Sequence, residues 1–242
     1  MIFGIMSLRV LYEDNHLIAV YKLAGVLVQG DETGDRSLLD EVKGYLKEKY
    51  QKPGNVFLGL LHRLDRPVSG IVLFAKTSKG ASRLSEQFRD HAIEKIYHAI
   101  VEGKPKKDNA TLVHYLKKNA KNNIVTAYAD HEPGTFYAEL SYDLVRSNSK
   151  YSLLQVKLKT GRPHQIRAQL SIIGCPLVGD IKYGAKKMLK NGDIALCATS
   201  LSFKLATKEE VKHLVIDLPK EWRGLLTLPP PKISSPNTQS QS

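Results

Sequence analysis

The stretch VFLGLLHRLDRPVSGIVLFAK, residues 56–76, decides how the rest of the chain is read. Val56, Phe57, Leu58, Leu60 and Leu61 form one apolar run, and Ile71, Val72, Leu73, Phe74 and Ala75 form another. Each has strand length and is rich in β-branched or aromatic residues, so the segment predicts two buried strands joined by a polar hinge. The hinge carries His62, Arg63, Asp65 and Arg66. A carboxylate enclosed by this much apolar chain is costly unless paired, so Asp65 needs a cationic partner or a cleft. Pro67, Ser69 and Gly70 supply turn chemistry that lets the chain present side chains at the end of a sheet. Two readings stand side by side: a salt-bridged turn between core strands, and a site.

Working outward toward the N-terminus, Leu17 to Val20 and Val26 to Val28 flank Lys22 and Gly25, a pattern that predicts strand, glycine turn and second short strand. Leu38, Leu39, Val42, Tyr45, Leu46 and Tyr50 recur at helical spacing, with Ser37 placed as N-cap and Asp40 three residues on. Pro53 and Gly54 close that helix. Downstream, Thr77 or Ser78 caps a helix with an Ala81, Leu84, Phe88 stripe. Strands are then expected at 94–103, 111–116, 124–129, 136–145 and 151–159, at hairpin spacings that make much of the sheet antiparallel. Thr160, Gly161, Arg162 and Pro163 open a helix, Pro163 taking its first position, with Ile166, Leu170 and Ile173 as its buried stripe. His164, Arg167 and Ser171 share another face of it, which faces either a cleft or solvent. Residues 194–205 and 211–218 give the last strands, and the Pro, Ser, Asn and Gln of 229–242 predict a mobile tail.

The bulk numbers narrow the class. At 242 residues and 42% hydrophobic content the chain can bury a full core, and no composition shift before Pro229 marks a linker, so one domain is expected. Lys and Arg number 36 against 24 Asp and Glu, a net charge of +12, which favours a polyanionic partner, nucleic acid first. Cys175 and Cys197 lack the spacing of a zinc site or a disulfide framework, and a reducing cytoplasm fits them. The N-terminal MIFGIMSLRV has no signal-peptide pattern, and no stretch has a membrane span's apolar length, so an unexported protein without a membrane partner is expected.

Three motifs in order and spacing carry a resemblance. HRLD with Ser69-Gly70 behind it, EKIYHAIVEG at 94–103 and TGRPHQIRAQL at 160–170 together resemble the RluA-type family of pseudouridine synthases. YKLAGVLV at 21–28, GDIKYG at 179–184 and LCATSLSF at 196–203 are similar to further family motifs. The resemblance implies an α+β fold: a single catalytic domain, 1–228, with a mixed, largely antiparallel central sheet flanked by helices and crossed by a basic cleft. It implies isomerisation of uridine to pseudouridine in ribosomal or transfer RNA without cofactor or metal. No separate N-terminal RNA-binding domain, no DNA partner and a monomer are expected. Asp65 matches the catalytic aspartate, Tyr97 the tyrosine that stacks on the target base, and Arg167 the basic residue that pairs with the aspartate. Arg63 matches an arginine implicated in RNA binding and base displacement, and Arg66, Arg162, His164 and Lys182 are further candidate RNA contacts. Val68, Tyr21, Leu23, Gln169 and Cys197 depart from common family residues, which leaves the target open.

The chemistry suits these residue types. Breaking and remaking a glycosidic bond within one nucleotide calls for a group that attacks or deprotonates, in a pocket that excludes water. An ionised Asp65 can do so by adding to uracil or ribose or by removing a sugar proton, and a paired Arg167 favours the ionised form. Two competing readings are a non-catalytic RNA-binding or assembly protein, and a nucleoside or glycoside hydrolase. The hydrolase needs a second carboxylate, for which Glu94 and Asp180 are the candidates, neither standing in a motif near Asp65.

Overall fold

The second apolar run of the hinge region becomes the strand on which the sheet is laid. The computed structural model describes residues 8–226. Ahead of the hinge come β1 (Val10–Glu13), β2 (Leu17–Lys22), α1 (Leu38–Lys49) and β3 (Gly59–Leu60). After it come β4 (Ser69–Ala75), α2 (Ser78–Arg89), β5 (Glu94–Glu102), β6 (Asn109–Asn119), β7 (Ile124–Tyr128), β8 (Phe136–Ser147) and β9 (Tyr151–Leu158). Helix α3 (Gln165–Ile172), β10 (Leu196–Lys204), β11 (Val211–Val215) and the short α4 (Arg223–Leu226) complete the described chain.

These strands form one sheet along the path β1-β2-β4-β10-β5-β9-β8-β6-β7, with β3 beside β4 and β11 beside β10. Among the described strands, β4 and β10 pair in parallel, and the neighbours on that path otherwise run antiparallel, as between β5 and β9 or β6 and β8. The architecture is therefore the expected α+β fold with a mixed, largely antiparallel sheet. One face carries a core of Val20, Val72, Phe74, Val156 and residues of α1 and α3. The other buries Leu17, Ile71, Leu73 and Phe203 with Leu84 of α2 and Leu226 of α4. All seven residues of β4 are buried because it lies between the two cores, which explains an apolar run where a one-sided strand would alternate.

Local chemistry accounts for the element ends. Ser37 and Asp40 form the anticipated capping box on α1, worth about 1 kcal/mol. Thr77 accepts from the Gly80 amide and caps α2. Gly70, with φ +129, lies so close to β10 that a Cβ would stand 2.4 Å from the Ala198 carbonyl oxygen. No other residue type fits, and this contact lets the turn after Asp65 meet β10.

Three expectations are corrected. Residues 56–61 do not make a full strand: β3 is two residues long, Val56 and Leu58 drop into the core, and Phe57 is 51% exposed. Residues 26–28 form no strand; the Leu27 and Val28 carbonyls accept instead from the Leu38 and Leu39 amides and hold the start of α1. Pro163 is not the first residue of its helix, because His164 adopts a left-handed φ of 50° and α3 begins at Gln165. The expected tail at 229–242, the boundary at 228 and the first seven residues lie outside the described residues. Among the described residues, no helix is long and apolar enough to cross a membrane.

Candidate active site

A cleft of about 1160 Å³ opens on the α1/α3 side of the sheet, bounded by the hinge, β5, the β6–β7 hairpin and the approach to α3. Its described lining includes eight Lys or Arg and two Asp, so it concentrates positive charge. Asp65 stands on its wall in a turn closed by the Val68 amide donating to the Asp65 carbonyl at 3.0 Å. Helix α3 delivers the partner from 102 residues away: Arg167 Nη1 donates to Asp65 Oδ2 at 3.0 Å.

The guanidinium is pinned from behind. Arg167 Nε donates to Asp180 Oδ2 at 2.7 Å and Nη2 to Asp180 Oδ1 at 2.9 Å. This two-pronged pairing fixes the plane of the fork and leaves Nη1 aimed at Asp65. Burial works against the Arg167 charge, yet hydrogen bonding and attraction from Asp180, joined by Asp65, outweigh it and raise its pKa above the ordinary value. Asp180 is 1% exposed and does not line the cleft. The fold thus brings one of the two candidate second carboxylates to the neighbourhood of Asp65, but both its oxygens pair with Arg167 and it lies outside the cleft lining. Glu94 is ion-paired with Lys157. Neither lines the cleft that holds Asp65, where a hydrolase's second carboxylate would have to stand.

The remaining expected residues are distributed as follows. Tyr97, on β5, lines the cleft while only 8% exposed. Burial, Asp65's charge and Cys197 push its hydroxyl well above the usual phenol range, so it stays protonated. Arg63 and Lys182 are exposed on the cleft wall. Burial and the nearby Arg167 lower the Lys182 pKa. Arg162 lies over the Phe136 ring at 5.4 Å and donates from Nε to the Tyr137 carbonyl at 3.1 Å. Arg66 is also exposed on the cleft wall, where it donates to the Gly25 carbonyl at 3.0 Å and pairs with Asp35 at 2.6 Å. His164 reaches Asp65 Oδ2 with Nε2 at 3.7 Å, and burial lowers its pKa. His164, just ahead of α3, and the Arg167, Ser171 face of the helix therefore meet polar groups, Ser171 donating to the Tyr183 carbonyl at 2.6 Å.

Three supporting roles escaped the sequence reading, in which Asp180 stood only as a candidate hydrolase carboxylate. Asp180 and Tyr183 sit in GDIKYG, a segment legible as a basic loop whose acid and phenol turn inward. Lys22 is fully buried and its ammonium donates to the carbonyls of Leu23, Val26 and Arg66 at 3.0, 2.6 and 3.0 Å. A lysine between two apolar segments was the available signal, since a buried lysine must find acceptors. Among the described residues, no group of three or more His, Cys, Asp or Glu is arranged to hold a metal ion.

Comparison with known proteins agrees with this geometry. Residues 16–172 match the RNA pseudouridylate synthase family. The chain is 36% identical over 190 residues to tRNA pseudouridine synthase C of Haemophilus ducreyi, covering 74% of this chain and 75% of that one. It is 34% identical over 186 residues to ribosomal large subunit pseudouridine synthase C of Rickettsia prowazekii, covering 76% of this chain and 59% of that protein. The solved structure of human RNA pseudouridylate synthase domain containing 4 superposes with a TM-score of 0.77 at 23% identity, covering 93% of this chain and 95% of that one, and shares the fold. The match across the hinge, the sheet and α3 makes the chain a member of the RNA pseudouridylate synthase family, of RluA type, and an isomerase of uridine in RNA.

Proposed function

We propose that the chain converts specific uridines of ribosomal or transfer RNA to pseudouridine, in the cytoplasm, with one catalytic domain over 1–228 and Asp65 as the reacting carboxylate. The reaction breaks the N1–C1′ bond, turns the uracil and forms a C5–C1′ bond. C5 gives up a proton and N1 gains one, so no water is consumed and nothing is oxidised. Asp65 acts by adding to uracil or ribose, or by taking a sugar proton, and each route starts from the carboxylate. The observation that carries the assignment is the Arg167 fork, locked by buried Asp180 with its free nitrogen on Asp65 at 3.0 Å in the cleft wall.

A uridine inside a helix must be flipped out to reach Asp65, at roughly a few kcal/mol. Stacking on Tyr97 offsets part of this. Arg63, Arg162 and Lys182 follow phosphates along the cleft, and their charge makes binding weaken steeply with salt. Arg66, exposed on the same wall, braces the hinge through Gly25 and Asp35 and adds a further cation for the backbone. Relatives named for transfer RNA and for large-subunit ribosomal RNA support both substrate classes.

The test is tritium release from RNA labelled at uridine C5, with separate pools of transfer and ribosomal RNA. Release from one pool names the substrate class. Release from neither, with folded protein that still binds RNA, favours the non-catalytic reading.

A further inference from the structure

We infer that Tyr183 fixes the tautomer of His164, so that His164 presents an Nε2–H to the Asp65 carboxylate as a second donor beside Arg167. This deepens the reading above and rests on Asp65 being the reacting group.

Tyr183 ends a short 3₁₀ turn, Ile181–Tyr183. Its ring is buried among Leu116, Val125, Ala138 and Ala168. Two polar groups meet its hydroxyl, the Val125 backbone amide at 2.8 Å and His164 Nδ1 at 2.8 Å. The amide can only donate, so it occupies a lone pair of the phenol oxygen. The phenol proton then goes to the remaining neighbour that can accept, Nδ1. An imidazole that accepts on Nδ1 carries its proton on Nε2 when neutral. Nε2 stands 3.7 Å from Asp65 Oδ2, the oxygen that also accepts from Arg167. That contact is longer than a hydrogen bond in the free protein and is placed to tighten once substrate moves the carboxylate.

The surroundings support a neutral ring. Burial acts against the imidazolium, as do Arg167, Lys182 and Lys118, and Asp65 opposes them. Tyr183, edge-on to the ring at 5.8 Å, is a further titratable group against it. His164 is held at φ 50°, a left-handed conformation that a side-chain-bearing residue keeps when its contacts demand it. The Arg167 guanidinium also lies over the Tyr183 ring at 4.8 Å. Both donors on Asp65 therefore lean on one side chain, and the Val125 amide ties that side chain to β7 of the basic hairpin. Tyr183 is a positioning residue that acts through His164.

Histidine-selective ¹⁵N NMR of the wild type decides the tautomer without any assay of activity, with H164Q to assign the signal. Nε2–H is expected, and a neutral Nδ1–H ring overturns the inference. In turnover, Y183F is expected to lower kcat about tenfold with KM within about twofold. The amide of H164Q supplies an N–H without help from Tyr183, so adding Y183F to H164Q should change kcat by less than about twofold. The same tenfold loss in both backgrounds would make Tyr183 merely structural and refute its action through His164. Wild type that makes no pseudouridine from any RNA would instead overturn the functional reading, leaving the NMR result intact.

Discussion

Replacing Lys22 with Met keeps the length of a wholly buried side chain and removes every proton it donates. Three carbonyls lose their donor, those of Leu23, Val26 and Arg66, the last being the residue after Asp65. At about 1 kcal/mol for each, the loss is about 3 kcal/mol before any relief from no longer burying an ammonium. That relief depends on pH. Burial pushes the Lys22 pKa from 10.5 down to about 7, with Asp65 and Asp193 opposing the drop and Arg66 adding to it. A group whose pKa is lower folded than unfolded binds fewer protons in the native state, so its contribution to stability is present above 10.5 and is lost as pH falls through 7. Between pH 6 and pH 9 the wild type should gain about 2.6 kcal/mol from this group alone. Lys22→Met cannot gain it, so the variant's deficit should be larger at pH 9 than at pH 6 by about that amount. Urea unfolding of both proteins at both pH values measures the deficit, and groups common to the two cancel. An equal deficit at both, or a larger one at pH 6, refutes the reasoning.

Glu13→Gln perturbs a different buried charge: burial raises the Glu13 carboxyl, but Lys49, Lys76 and Tyr50 outweigh it and hold it down to about 2. Stability from Glu13 is present above 4.5 and lost as pH falls toward 2, so the variant should lose about 2 kcal/mol at pH 7 and converge with wild type in acid, read by urea unfolding. Gly70→Ala drives a Cβ into the Ala198 backbone at 2.4 Å, and a loss of at least about 2 kcal/mol is expected in thermal melts; wild-type stability would mean that β4 and β10 separate freely. Arg167→Lys keeps the charge but cannot hold Asp180 with two nitrogens and Asp65 with a third. Turnover should fall about a hundredfold with RNA affinity little changed, and near-normal turnover would show that charge alone suffices.

What the sequence disclosed follows the range of the interactions. The Ser37–Asp40 capping box spans three residues and forms as expected. The hairpin strands β6 to β9 are joined by short turns and match their pattern closely. Where the apolar pattern was read without its partners, it misled: residues 56–61 supply core side chains, yet almost none of their backbone finds a strand to pair with. The β4–β10 pairing joins Ser69 to Cys197 across most of the chain, and no local signal announces it. Asp65 was visible as an improbable carboxylate, but its Arg167 partner came only with the family resemblance, because 102 residues separate them. The supporting roles of Asp180, Tyr183 and Lys22 stayed hidden because buried polar residues look like surface residues until the fold closes over them.

The central claim is that Asp65 carries the reaction, and it is tested most directly by comparing wild type with Asp65→Asn on C5-tritiated RNA of the responsive pool. Asparagine keeps the shape and removes the charge. The account predicts tritium release and pseudouridine from wild type alone, with both proteins folded and binding RNA within about twofold of each other. Release by Asp65→Asn at a rate near that of wild type would contradict it.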